Sequence, residues 1–157
     1  MIRLGVVSDS HGSQFWTERY IDLANRMGYD AVFHLGDGEG ATKGMQKKLR
    51  MPMLCVAGNC DMFSKLPGEI VERYEKCTVL AVHGHRFDVK WGLDQLSYYA
   101  EERGAKVVLY GHTHIAAAEF VGPVLMVNPG ALMRGQYAEL VIDGDRATPY
   151  LKDMSDI

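Results

Sequence analysis

The sequence predicts an α/β domain in which two packed, mixed β-sheets are flanked by helices. Three observations predict it. Short β-branched runs alternate with amphipathic segments through the first half, closely spaced strand pairs take over from Glu69, and Asp, Asn and His cluster where the apolar runs end. With 157 residues, 47% hydrophobic and 24% charged, the chain fits one domain, 1–157, whose core needs no disulfide or metal staple.

The first run, Ile2-Arg3-Leu4-Gly5-Val6-Val7, reads as a buried strand that stops at Ser8-Asp9-Ser10-His11-Gly12. On extended chain, residues two apart point the same way, so Asp9 and His11 can offer a carboxylate oxygen and an imidazole nitrogen to one point in space. Ser13 caps a helix with Trp16, Tyr20, Leu23, Ala24 and Met27 on its apolar face, and Gly28 ends it. Ala31-Val32-Phe33-His34-Leu35 is the second strand, with His34 as a core residue. It delivers Gly36-Asp37 to a sharp turn at Gly38-Glu39-Gly40. A helix follows from about Thr42 to Leu49, and its Lys43, Lys47, Lys48 and Arg50 read as a solvated face rather than a phosphate patch. Met53-Leu54-Cys55-Val56-Ala57 is the third strand, opening into Gly58-Asn59-Cys60-Asp61. Strand, helix, strand, helix, strand at this spacing calls for right-handed crossovers and parallel pairing.

Beyond Glu69 the runs Ile70–Tyr74 and Thr78–Val82 flank a Glu75-Lys76 turn, an antiparallel pair that ends in His83-Gly84-His85. A helix over about Gly92 to Arg103 buries Leu93, Leu96, Tyr99 and Ala100, and Gly104 stops it. Val107-Val108-Leu109-Tyr110 then leads into Gly111-His112-Thr113-His114. The remainder reads as strands over Ala116–Val121, Val124–Val127, Ala138–Ile142 and Ala147–Leu151. The second sheet is therefore expected to be mostly antiparallel. Ligands of open sheets sit beyond the carboxyl ends of strands, where all of these motifs fall.

The net charge of −3 argues against a general nucleic-acid coat, which draws on clustered Lys and Arg. Cys55, Cys60 and Cys77 have no paired spacing and suit a reducing compartment, the cytoplasm. Only a few apolar residues precede Ser8, too few for a signal sequence, and no run approaches a membrane span.

Any one strand-end Asp or His is ordinarily a turn or core residue. Five such loops together match what a pair of divalent transition metals requires: a carboxylate that can bridge, imidazoles and neutral oxygen donors. In order and spacing, Asp9-Ser10-His11, Gly36-Asp37, Gly58-Asn59-Cys60-Asp61, His83-Gly84 and Gly111-His112-Thr113-His114 resemble the motifs of the calcineurin-like metallophosphoesterase superfamily. The likeness runs over nearly the whole chain and is greatest to the compact bacterial and archaeal phosphodiesterase branch. It implies an αββα sandwich and a metal-dependent phosphodiesterase, in which a hydroxide between two metals attacks phosphorus. By that resemblance Asp9, His11 and His114 would bind one metal, Asn59, His83 and His112 the other, and Asp37 would bridge them. Asp37, Asn59, His83 and Asp61 would form the catalytic machinery, Asp61 by orienting a ligand or ordering its loop. Asn59 and His85 would face the substrate phosphate. The mixed N and O ligand set favours Mn²⁺, with Fe, Ni, Co or Zn as alternatives.

Two departures stand out. Many relatives carry His where Cys60 stands, and a thiol with a reference pKa of about 8.5 is a poor general acid, so diesters are expected to exceed monoesters as substrates. Asn128-Pro129-Gly130-Ala131 lacks the Ser that often follows the Gly and is read as having no catalytic bearing. Two other branches supply rival readings. One is a scaffold of the retromer sorting coat, whose cue would be substituted metal ligands. The other is a nuclease, for whose cap domain and basic groove the chain has no room. The expected partner is a small phosphodiester, in an open site or one that a partner subunit completes. Trp91, Tyr98, Tyr99 and Phe120 are candidates for a homo-oligomer contact, each more simply core or scattered surface.

Overall fold

The computed structural model describes residues 1–61 and 64–156. Strand β1 (Ile2–Val7) is the middle strand of the first sheet. On one side it pairs in parallel with β2 (Ala31–His34), and β2 with β3 (Met53–Cys55). On the other it pairs antiparallel with β9 (Gln136–Asp143), whose outer neighbour is β10 (Arg146–Asp153). The expected parallel unit is present, closed by helices α1 (Gln14–Met27) and α2 (Thr42–Lys48).

The second sheet has the order β4 (Glu69–Tyr74), β5 (Cys77–Val82), β6 (Val107–Leu109), β8 (Val124–Asn128), β7 (Ala117–Val121). Its outer pairs are antiparallel and its two inner pairs, β5 with β6 and β6 with β8, are parallel. This corrects the mostly antiparallel expectation. Helix α3 (Asp94–Glu102) is a crossover between β5 and β6, and the β9–β10 hairpin leaves for the first sheet. Turn residues fix a hairpin's own pairing but not which sheet it joins.

Alternation along β1 sorts its side chains between two cores. Leu4 and Val6 face the space between the sheets, with Phe33, Leu35, Val79, Leu109, Val127, Leu140 and Ile142, all almost wholly buried. Val7 faces the helices, packing with Tyr20, Ile21, Ala24 and Met45. Gly5 is on that same face because a methyl group there would lie 2.3 Å from the Tyr20 hydroxyl. A third cluster, with Leu80, Val82, Leu96, Ala100 and Met126, fills the space under α3.

Ser13 caps α1 by accepting a bond from the Trp16 amide, and Gly28 ends it in the left-handed conformation. The buried face of α1 is Thr17, Tyr20, Ile21 and Ala24, while Met27 is exposed. Tyr20 and Ala24 lie on the buried face as expected and Trp16 and Leu23 pack partly against it, while Thr17 and Ile21 join it and Met27 does not. Trp91, Tyr98 and Phe120 are exposed, whereas Tyr99 packs partly into the third cluster.

Candidate metal centre

Strands β1, β2, β3, β5 and β6 all deliver their carboxyl ends to one edge of the sandwich, where backbone bonds stitch the loops together. The Asp9 amide bonds Gly36 O, the His11 amide Asp37 O and the Gly111 amide His83 O, each at 2.9 Å. Between Asp9 and His11 the chain is not extended, contrary to the expectation from spacing. Asp9 and His11 have φ of 55° and 45°, and Asp37, Glu39, His112 and His114 are likewise left-handed. These six are among only eight such non-glycine residues in the described chain. Each costs of order 1–3 kcal/mol and persists because the stitching over-determines it. The side chains converge nonetheless, with Asp9 Oδ1 3.4 Å from His11 Nε2.

Both carboxylates have one oxygen tied down and one left for the centre. Asp9 Oδ2 accepts from Ser8 Oγ at 2.6 Å and from the His112 amide at 3.0 Å. Its Oδ1 is buried with no hydrogen-bond partner, 3.2 Å from His114 Nε2 and 3.8 Å from His83 Nε2. Asp37 Oδ1 accepts from the Cys60 amide at 2.8 Å, and its Oδ2 lies 3.2 Å from His83 Nε2 and 3.8 Å from His11 Nε2. Burial opposes charge on Asp37, but the His83 bond and the Cys60 amide outweigh it and hold the carboxyl well below the usual range.

The imidazoles are oriented from behind. His83 Nδ1 lies 2.7 Å from Leu35 O and His11 Nδ1 lies 2.8 Å from Glu39 Oε1, so each Nδ1 donates and each Nε2 presents its lone pair to the centre. Asn59 Oδ1 is 3.1 Å from His83 Nε2, and His112 Nδ1 is 3.2 Å from the same atom. His11 and His114 bring their Nε2 atoms to 3.3 Å. Among the groups of ligand atoms that result are Asp9, His11 and His114 in one and Asp37, His83 and His112 in another, the members of each within 4.8 Å of one another. Acceptors meeting acceptors around a buried, unpartnered carboxylate oxygen form a donor set that fits a divalent cation. Burial works against charging both His83 and His11, but Asp37 and Asp9 raise the His83 pKa, and Glu39, Asp9 and Asp37 raise that of His11.

The loops pack too closely for side chains at two glycines. A methyl group on Gly58 would lie 2.0 Å from Asp37 Oδ1, and one on Gly111 2.1 Å from Ser8 Oγ. Asp61 stands behind the centre, its carboxylate accepting from the amides of Asp37 (2.7 Å), Gly58 (2.8 Å) and Glu39 (3.0 Å). It orders the loop rather than meeting the ligand atoms. His85 sits at the mouth, its ring 5.4 Å from that of His83, with Nδ1 unpartnered. Cys60 is exposed, its Sγ within 4.8 Å of ligand atoms of His11 and Asp37.

Three supporting residues escaped the sequence reading. Glu39 was read only as part of a glycine turn. Asn128 was placed in a stretch without catalytic bearing, yet its buried amide donates to Gly111 O (3.2 Å) and Thr113 Oγ1 (2.9 Å), pinning the loop that carries His112 and His114. His34 is buried as expected and also links two loops. The Gly36 amide donates to its Nδ1, leaving the Nε2 proton for Ser10 Oγ at 3.0 Å. Burial lowers its pKa to about 4, which keeps it neutral. The Asn of an Asn-Pro-Gly turn and the Glu between two glycines were the available signals. Glu39→Gln is expected to weaken metal binding about 10–100-fold by loosening His11. Calorimetric titration of metal-free protein checks this, and an unchanged isotherm would remove Glu39 from the centre.

The calcineurin-like phosphoesterase superfamily domain matches residues 2–142. Probable metallophosphoesterase YsnB of Bacillus subtilis is 33% identical over 158 residues, covering 96% of this chain and 90% of its own. Phosphodiesterase YfcE of Escherichia coli K12 is 29% identical over 154 residues, covering 84% and 80%. A predicted phosphoesterase from Streptococcus pneumoniae superposes with a TM-score of 0.78 at 27% identity, over 96% of this chain and 98% of that one. Vacuolar Protein Sorting 29 from Cryptosporidium parvum superposes at 0.82 and 15% identity, over 98% and 91%, and shares the fold.

Proposed function

Since the chain belongs to the calcineurin-like phosphoesterase superfamily, we propose that it is a phosphodiesterase working with two divalent ions, Mn²⁺ before Fe, Ni, Co or Zn. The buried, unpartnered Oδ1 of Asp9, with Asp37 Oδ2 reaching toward imidazoles of both ligand groups, is the observation that carries this reading. Asp9, His11 and His114 would hold one ion and Asn59, His83 and His112 the other, with Asp37 shared between the two groups. Bound there, two divalent ions would lower the pKa of water to near neutrality and offset charge developing on phosphoryl oxygens.

The chain's own residues do the rest. Ser8, Asp61 and the loop amides fix the carboxylates before substrate arrives, so no reorganisation is needed as charge develops. Asn59, whose Nδ2 is 3.7 Å from Cys60 Sγ, and the His85 ring, 5.4 Å from that of His83, would orient a phosphate. Burial and the Asp37 carboxylate push the Cys60 thiol pKa up, so it is a weak proton donor to a leaving group. Diesters with leaving groups that depart unaided therefore suit the site better than monoesters.

All ligand positions are filled, which favours an enzyme over the scaffold reading. Cys55, Cys60 and Cys77 are free, in keeping with a reducing cytoplasm. Among the described residues no helix is long and apolar enough to cross a membrane. The test is hydrolysis by chelator-stripped protein before and after Mn²⁺ addition. The expected result is restored turnover of bis(p-nitrophenyl) phosphate, exceeding that of p-nitrophenyl phosphate at least about tenfold. Folded protein inactive with every divalent metal would revive the scaffold, and a preference for the monoester would overturn the role given to Cys60.

A further inference from the structure

A cleft of about 730 Å³ opens beside the metal centre. One wall is Glu39, Cys60 and Asp61, continuous with the ligand loops. The others are Thr42, Lys43 and Gln46 from the start of α2, and Ser64, Lys65 and Leu66 after the Asn59 loop. Its size suits a nucleotide-sized group, and Cys60, close to His11 and Asp37, marks where it meets the reacting end.

The charges in the lining are not equivalent. Asp61 accepts from three backbone amides and Glu39 Oε1 meets His11, and among the described residues neither carboxylate forms a salt bridge with Lys43 or Lys65. Lys48, also on α2, pairs with Glu18 at 2.6 Å. Lys43 and Lys65 form no salt bridge among the described residues, and both line the cleft. Part of the basic run that composition assigns to a solvated face is thus turned onto a concave surface beside the reacting site. Gln46 adds a neutral polar group, and Leu66 with the lysine stems supplies apolar surface for a sugar or base.

We propose that this cleft receives the far arm of the diester, and that Lys43 and Lys65 select substrates bearing a second phosphate over diesters with uncharged arms. The proposal rests on the phosphodiesterase reading of the centre and adds a substrate class to it: a phosphodiester carrying a further, terminal phosphate monoester.

The test compares kcat/KM of the Mn²⁺-loaded protein for the dinucleotide ApA and for pApA, the same molecule with a terminal phosphate, beside bis(p-nitrophenyl) phosphate. Wild-type protein is expected to favour pApA about fivefold or more at low salt, chiefly through KM, as two partly exposed charge contacts would provide. In Lys43→Gln/Lys65→Gln the ratio should fall toward one, and in the wild type it should shrink as ionic strength rises. Equal turnover of the two dinucleotides, a preference undiminished in the double variant, or cleavage of bis(p-nitrophenyl) phosphate alone would overturn the subsite and leave the diesterase reading standing. No turnover of any of the three would overturn both.

Discussion

Asp37→Asn is expected to lower kcat/KM for bis(p-nitrophenyl) phosphate by about a thousandfold or more, a loss on the order of 4 kcal/mol of transition-state stabilisation. The substitution keeps the volume of the side chain and the oxygen that accepts from the Cys60 amide, so the loop retains its anchor. What changes is the atom facing the centre. In place of an anionic oxygen 3.2 Å from His83 Nε2 stands an NH₂ group, which offers no lone pair to a cation. The variant should fold, show an unaltered circular dichroism spectrum and bind less metal by elemental analysis. Activity within tenfold of wild type in a folded, metal-replete variant would refute the bridging role.

The second large effect is on stability. Ions that bind the folded chain and not the unfolded one stabilise by about 4 kcal/mol each when present at a thousand times their dissociation constant. For a chain of this size the two ions together correspond to roughly 16–32 °C in Tm. Chelation should therefore lower the calorimetric Tm by about that amount, and Mn²⁺ should restore it. The physical reason is the buried carboxylate oxygen Asp9 Oδ1, which has no hydrogen-bond partner among the described residues and lies 3.2–3.8 Å from the Nε2 atoms of His114, His11 and His83. Asp9→Asn, which removes that charge, should largely abolish the response to metal. A Tm indifferent to chelator and to added Mn²⁺ would mean that the acceptors converge without holding an ion.

The sequence was informative where local chemistry and strand ends coincide. The β1 apolar run, its Asp-x-His ending and the glycines before Asp37, Asn59 and His112 were all legible, because a side chain at Gly58 or Gly111 cannot fit. Less legible were contacts between residues far apart in the chain. Nothing local announces that Glu39 reaches His11, or that Asn128 holds the loop of His112. The left-handed backbone at Asp9 and His11 was also hidden, since those residue types fit an extended strand end equally well. The second sheet was misjudged for a similar reason: α3 reads as a helix from sequence, but its role as a crossover depends on where β6 docks. Lys43 and Lys48 look alike in one dimension, and only packing distinguishes the one that faces the cleft from the one that pairs with Glu18.

The place of β1 in its sheet has a consequence for biosynthesis. Its partner on one side, β2, emerges from the ribosome about 30 residues later, but its partner on the other, β9, is more than 130 residues away in sequence. During synthesis the β-branched edge of β1 therefore waits uncovered, the kind of edge that recruits other nascent chains. The Leu132 amide that bonds Ser8 O, steadying the first ligand loop, also arrives late. Metal capture should accordingly be among the last events of folding, and chains cut short before β9 should aggregate and bind no metal.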